Sequence, residues 1–216
     1  MQNQIEFKQF VMFDLQVLDP QIWYWENALS YPEHLKQFIE EIDSDPLSYK
    51  RISKWENWTA SDDSSFVYGA TKNIITSNLK DTTGSDSIDK KTLYIGNSFS
   101  MAFEMCSERY LSGHGLDKNN YNLPLSKLPI KKWNQGQYMG PHFDGQDGDS
   151  TLAFSLVAYI NDDYEGGEIH FPNQNITLKP KAGSMIMFPS QLPYLHEVKP
   201  IISGTRYMSP AHVYIK

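Results

Sequence analysis

A mainly β fold, a sandwich or jelly roll braced by helices, is what this sequence predicts, and three observations carry the prediction. From Lys127 onward, short apolar segments alternate with Gly, Pro and Asn, the punctuation of many short strands. Ahead of that point, apolar residues recur at three- and four-residue intervals, the period of a helix face. No internal repeat and no long low-complexity linker divides the chain. The 216 residues are therefore read as one domain, with 1–126 a strand-and-helix support region and 127–216 the β core that carries a metal site.

Lys8 to Leu18 alternate through Phe10, Val11, Phe13, Leu15 and Val17 and are read as a strand. Asp19-Pro20 then reads as a helix start, since Pro suits a first turn, with Trp23, Trp25, Ala28 and Leu29 on that helix. A second start at Tyr31-Pro32 opens an amphipathic helix over 32–43, where Leu35, Phe38, Ile39 and Ile42 share a face. Lys50 to Ser65 is strand-like. Its Trp55 and Trp58 are assigned to the core, and a peptide grip beside Lys54 is the less favoured alternative. Asp81 to Ser87 is polar and small, a surface loop. A helix over Asn97 to Leu111 follows, closed by Gly113. Strands are then expected at Pro129–Trp133, Ala153–Ile160, Glu168–Phe171, Ile176–Leu178, Met185–Phe188, His196–Val198 and Thr205–Tyr214.

Composition narrows the function. A net charge of −7 and a pI near 5.3 disfavour nucleic acid as an electrostatically steered partner. The single cysteine, Cys106, cannot form an intramolecular disulfide, so no oxidising compartment is required. The first residues show neither a basic nor an apolar targeting segment, and no apolar run approaches membrane-spanning length. A cytoplasmic protein with no membrane partner is expected. Oligomeric state is not legible.

The chemistry centres on His142-Phe143-Asp144, His196 and Arg206. Two imidazoles and a carboxylate can occupy one face of an Fe(II) octahedron and leave three positions open. On a strand, residues i and i+2 point the same way, so His142 and Asp144 can reach one metal. His196 must arrive from a distant strand folded back over the first. Zinc hydrolases use the same ligand types. Arg206 separates the two readings, because a fixed guanidinium near the metal suits the far end of a dicarboxylic cosubstrate. Strand alternation puts Arg206 and Tyr207 on opposite faces, and one of them must point inward. His170 is read as a surface residue with an inward, substrate-contacting alternative, and His212 as structural with a substrate contact as its alternative. His34 and His114 are read as structural. The run from Asp144 to Ser150 fails the calcium-loop register at Gln146, Gly148 and Ser155 and is read as a flexible loop bordering the entrance. Asp162 to Gly167 is read as a solvated hairpin turn.

In Gly136-Gln137-Tyr138-Met139-Gly140-Pro141-His142-Phe143-Asp144, Ala158-Tyr159-Ile160-Asn161, Tyr164-Glu165-Gly166-Gly167-Glu168-Ile169-His170-Phe171-Pro172, Lys179 to Phe188, His196 to Pro200 and Gly204-Thr205-Arg206-Tyr207, the chain resembles the prolyl 4-hydroxylase-like branch of the Fe(II)/2-oxoglutarate oxygenases. The resemblance covers Trp133 to Tyr214 and implies a double-stranded β-helix. It implies His142, Asp144 and His196 as the catalytic metal ligands, and Arg206 turned inward onto the distal carboxylate of 2-oxoglutarate. Tyr159 then assists as a phenolic donor and Trp133 lines the cosubstrate pocket. Implied cofactors are Fe(II), 2-oxoglutarate and O₂, with ascorbate as an additional ligand. The family pattern often has tyrosine where Trp133 stands and a second aromatic where Met139 stands. Its collagen-type members commonly carry lysine in place of Arg206. The implied activity is hydroxylation of a peptide or protein substrate, foremost at proline. A free amino acid or another side chain is the alternative, ahead of a zinc hydrolase or a non-catalytic jelly-roll binding module.

Overall fold

In the computed structural model, which describes residues 14–44, 55–59, 67–75, 87–125 and 127–216, the chain enters on a hairpin. Strands β1 (Asp14–Asp19) and β2 (Ile22–Glu26) pair antiparallel. The helix expected at Asp19-Pro20 is therefore absent. Asp19 Oδ1 instead accepts a hydrogen bond from the Gln21 amide at 3.0 Å, a side-chain-closed turn that competes with helix entry. Beyond it, Ile22 and Tyr24 face one core while Trp25 joins another, the period-2 alternation that bulky aromatics favour in a sheet.

Helix α1 (Pro32–Ser44) forms as expected, with Pro32 in its first turn and Leu35 and Ile39 buried on one face. Strands β3 (Glu56–Thr59) and β4 (Val67–Ile75) pair next. Helix α2 (Ser87–Gly113) is longer than its expected core. It buries Ile95, Phe99, Ala102, Phe103, Cys106 and Tyr110 along one stripe. The residue that closes it is Gly115, at φ +68°, rather than Gly113. Leu116 N–H donates to Leu111 and Gly115 N–H to Ser112, the paired bonds of a left-handed glycine cap. Gly113 has another reason to be glycine. A Cβ there would run into the Trp23 indole.

The remaining strands are β5 (Tyr121–Asn122), β6 (Lys127–Trp133), β7 (Met139–His142), β8 (Leu152–Tyr159), β9 (Glu165–Gly166) and β10 (Ile169–Phe171). They are followed by β11 (Ile176–Leu178), β12 (Met185–Pro189), β13 (His196–Val198), β14 (Ile201–Ser203) and β15 (Arg206–Ile215). The seven strands expected in this region are all present, with ends shifted by a residue or two. The sequence reading missed β4, β5, β7, β9 and β14. Of the expectations before Ser87, those on residues 8–13, 50–54, 60–65 and 81–86 fall outside the described residues.

The larger sheet runs β1-β2-β12-β8-β15-β6-β4-β3, with β5 on β15. The smaller runs β11-β10-β13-β7, and β14 pairs with β9. Pro141 is accommodated because β7 lies at an edge of its sheet. The larger sheet has two buried faces. Leu156, Ala158, Met185, Met187, Tyr207, Ala211 and Val213 pack in one core with α1 and α2. Val157, Tyr159, Ile186, Phe188 and Met208 join Ile169, Phe171 and Val198 of the smaller sheet in the other. Two sheets closing on one core, with helices behind the larger, make a double-stranded β-helix, the jelly roll expected from the sequence. Alternation along β15 sends Tyr207 to the helix side and Arg206 between the sheets.

Candidate active site

Antiparallel pairing of β7 with β13 sets His142 opposite His196, and their ring centres lie 4.3 Å apart. This is the fold-back that the sequence required of the distant histidine. Asp144 arrives differently from the expectation of a continuous strand. Phe143 is extended, at φ −124° and ψ 144°, so the carboxylate keeps the same side as His142, but Asp144 itself opens a 3-10 turn over Asp144–Asp147. The loop expected from Asp144 to Ser150 thus opens with this turn and runs into a second one at Asp149. The Gly145 amide donates to Ser190 O at 2.9 Å, and the Asp149 carboxylate receives the Thr151 amide and hydroxyl.

Asp144 Oδ1 lies 3.4 Å from His142 Nε2 and 3.8 Å from His196 Nε2, and the three candidate ligand atoms fall within 4.8 Å of one another. His142 Nδ1 sits 2.9 Å from Gly140 O, and His196 Nδ1 3.2 Å from Tyr194 O. A carbonyl only accepts, so each Nδ1 carries the hydrogen and each Nε2 presents a lone pair to the centre. Ser155 Oγ donates to Asp144 Oδ2 and lies 2.7 Å from Ser190 Oγ. Burial opposes charge on Asp144. The adjoining His142 and His196 rings and the Ser155 hydroxyl prevail and hold the carboxyl well below its ordinary range. His196 is pushed down to about 4, foremost by burial, against the pull of Asp144. Phe188 and Phe171 supply part of that burial, with ring centres 4.7 and 5.6 Å from the imidazole. Two imidazoles, each with Nε2 toward the centre, and one carboxylate therefore meet at one point, a donor set that fits a divalent first-row metal.

A cavity of about 210 Å³ extends from this point between the sheets. At its inner end the Arg206 side chain is 1% exposed, and its guanidinium carbon lies 5.4 Å from the Trp133 ring centre and 5.1 Å from that of Tyr159. Arg206 Nε and Nη1 and the hydroxyls of Tyr159 and Tyr164 are buried with no protein hydrogen-bond partner among the described residues. Burial raises the Tyr159 pKa, so its phenol stays protonated as a donor. Stranding a buried guanidinium and two hydroxyls is costly, and the cost is removed when an anionic group enters. The inner end fits a carboxylate.

Of the residues singled out from the sequence, His142, Asp144, His196, Arg206, Tyr159 and Trp133 all line this one cavity, together with Met139 and His212. His170 does not. It turns outward, with Nδ1 against Ile176 O and Thr177 Oγ1, because Ile169 and Phe171 take the inward positions of β10. Trp55 packs beside Tyr207 on the helix side of the sheet, at 6.5 Å between ring centres. His34 stacks on Tyr31, and His114 bonds Tyr110 O and Pro20 O, both structural as expected. The turn over Asp162–Gly167 is only half solvated: Asp163 pairs with Lys36 at the surface, while Tyr164 is buried. Sequence reasoning missed two residues of the cavity wall, Ser155 and Lys131. The last was detectable, since it stands two residues before Trp133 on one strand and must share its face. Lys131 is half-buried in the cavity wall, and burial lowers its pKa to about 8.

Comparison with known proteins agrees with this geometry. The 2OG-Fe(II) oxygenase superfamily pattern matches residues 128–213. A PKHD-type hydroxylase of Idiomarina loihiensis is 31% identical over 87 residues, covering 38% of this chain and 39% of the relative. Another from Prochlorococcus marinus is 38% identical over 78 residues, covering 34% of each chain. The matched stretch thus spans only a third or so of the curated relatives' length. Among solved structures, a prolyl hydroxylase from Trichoplax adhaerens in complex with a hypoxia inducible factor peptide fragment superposes with a TM-score of 0.61 at 17% identity. It covers 93% of this chain and 86% of that one. A Pseudomonas putida prolyl-4-hydroxylase gives 0.59 at 14% identity, covering 93% and 95%. Residues 128–213 are thus similar in sequence to the 2OG-Fe(II) oxygenase superfamily. The likeness in fold to these two structures extends beyond that stretch, over 93% of this chain.

Proposed function

We propose that this protein is an Fe(II)- and 2-oxoglutarate-dependent dioxygenase that hydroxylates a peptidyl substrate, foremost at proline. The observation that carries the reading is the pairing, in one cavity, of a three-ligand metal cradle with a buried Arg206 whose Nε and Nη1 lack partners among the described residues. His142, Asp144 and His196 would hold the iron. Arg206, with Tyr159 and Tyr164 as phenolic donors, would hold the distal carboxylate of 2-oxoglutarate by charge-assisted hydrogen bonds. When bound, the iron and cosubstrate supply the oxidising chemistry with O₂. This chain's own residues position and protect. The Nδ1 hydrogen bonds of the two histidines fix their tautomers, and Ser155 orients Asp144. Phe171, Phe188 and Trp133 exclude water from the metal and the carboxylate. Ascorbate would serve as an additional ligand. A cytoplasmic setting fits the lack of need for a disulfide, and no described helix is long and apolar enough to cross a membrane.

A zinc hydrolase with the same ligands leaves Arg206 without a role. It also needs a general base, and Asp144 is the only carboxylate among the described residues of the cavity wall. A binding module would not need the triad. The peptidyl substrate is supported by the peptide bound to the Trichoplax neighbour, a structure that shares this fold. The test is to incubate the iron-loaded protein with 2-oxoglutarate, O₂ and either proline-containing peptides or free amino acids, reading hydroxylation by mass. Hydroxylated peptide is expected. Turnover of free amino acids alone would replace the peptide reading.

A further inference from the structure

Among the described residues, two side chains that are cationic at neutral pH line the cavity, Arg206 and Lys131, and the proposed chemistry uses only the first. Lys131 does not reach the cavity by accident of a mobile tail. It stands on the same face of β6 as Trp133, and the neighbouring Lys132 takes the opposite face, above Trp55 and Tyr207 at 5.4 and 5.9 Å. The ladder registers place it along the cavity axis. Arg206 pairs with Trp133 in the innermost row, and Met208 pairs with both Lys131 and Tyr159 in the next. Further out, His212 pairs with Ser155, whose hydroxyl holds Asp144. Lys131 thus stands between the guanidinium and the metal cradle. Asp144 favours its charged form and Arg206 opposes it.

A second cation here costs desolvation and like-charge repulsion, both offset when an anion enters. A divalent ion, Asp144, Arg206 and Lys131 together carry three positive charges. The dianionic cosubstrate balances two of these three among the described groups of the cavity wall. We propose that Lys131 is a second carboxylate-binding cation of this pocket, placed to hold an anionic group of a bound ligand between Arg206 and the triad. The proposal rests on the 2-oxoglutarate reading of the site. The carboxylate has two possible sources, the metal-chelating end of the cosubstrate or an acidic group on the substrate that is hydroxylated.

Equilibrium binding to the Mn(II)-loaded full chain distinguishes them without turnover, using wild type, Lys131→Met and Lys131→Arg. In one arm, 2-oxoglutarate and 2-oxobutyrate are titrated, the second lacking the distal carboxylate. In the other, L-proline and L-prolinamide are titrated with 2-oxoglutarate saturating, a pair that differs in its carboxylate. If the cosubstrate is the source, Lys131→Met weakens both 2-oxo acids by a similar factor of roughly 10 to 150, and Lys131→Arg recovers part of it. If the substrate is the source, 2-oxo-acid affinity is unchanged, and a wild-type preference for L-proline over L-prolinamide disappears in Lys131→Met. Unchanged 2-oxo-acid affinities and no Lys131-dependent preference between the second pair overturn the proposal. Should Lys131→Met fail to fold, Lys131→Gln is the neutral replacement. Absence of 2-oxoglutarate binding to wild type would be a different result. It would remove the functional reading, and this inference with it.

Discussion

Arg206 and Trp133 are register partners across the β15–β6 ladder, and the guanidinium carbon lies 5.4 Å from the centre of the indole. With the Tyr159 ring at 5.1 Å, the guanidinium is held among aromatic surfaces while Nε and Nη1 lack partners among the described residues. Aromatic neighbours stabilise a delocalised planar cation without consuming its hydrogen-bond donors. The fork is thereby held ready for an incoming carboxylate.

Arg206→Ala should weaken 2-oxoglutarate binding by about 2–5 kcal/mol, roughly 30- to several-thousand-fold, while the metal still binds. Arg206→Lys should recover only part, because an ammonium cannot reproduce the planar fork. A cosubstrate titration with iron saturating reads both. Unchanged affinity in Arg206→Ala would place the anchoring cation elsewhere.

Ser155 should matter to the metal although it is not a ligand. Its hydroxyl donates to Asp144 Oδ2 and leaves Oδ1 facing the two histidines. Loss of such an orienting partner typically costs about 10- to 100-fold in metal affinity. Competition with a chelating dye should show a drop of that size in Ser155→Ala. Equal affinity would mean that the turn alone orients Asp144.

The metal-free protein should lose stability in mild acid. His196 is lowered to about 4 in the fold, against roughly 6.5 when unfolded, so the unfolded chain takes up its proton first. The contribution is fully present above about 6.5 and is lost as pH falls toward 4. Denaturant unfolding at pH 5 should give a stability about 1–2 kcal/mol below that at pH 7, and His196→Gln should flatten the difference. A pH-independent wild type would show that this imidazole is not desolvated.

Gly113→Ala should destabilise the fold despite the better helix propensity of alanine. Propensity favours the change by about 1 kcal/mol at most, whereas forcing a methyl against the Trp23 ring costs about 1–3 kcal/mol. A net loss in thermal midpoint is expected. A gain would mean that the hairpin yields to the helix end without cost.

The C-terminal half was legible because its signals are local and repeated. Strands such as Ile176–Leu178 and His196–Val198 were readable to the residue, since turn residues bracket each apolar run. The clustering at the candidate site was legible for a similar reason, as His142 and Asp144 are near neighbours in sequence and His196 follows on a single later strand. The failures have physical causes. Trp23 and Trp25 read as helical because Asp19-Pro20 resembles a helix start, yet an Asp19-closed turn and pairing with β1 and β12 override that preference. Gly140-Pro141 concealed β7, which tolerates proline only as an edge strand. Ser155 enters the site through tertiary packing that no local pattern announces.

Conversion of 2-oxoglutarate to succinate by the purified protein tests the central claim most directly, measured with Fe(II) and O₂ in wild type and in His142→Ala, Asp144→Ala and His196→Ala. Succinate should form in the wild type, require both iron and oxygen, and vanish in each variant while the circular dichroism spectrum persists. Zn(II) should occupy the site without activity. Retention of succinate formation in all three variants, or oxygen-independent turnover supported by zinc, would contradict the account.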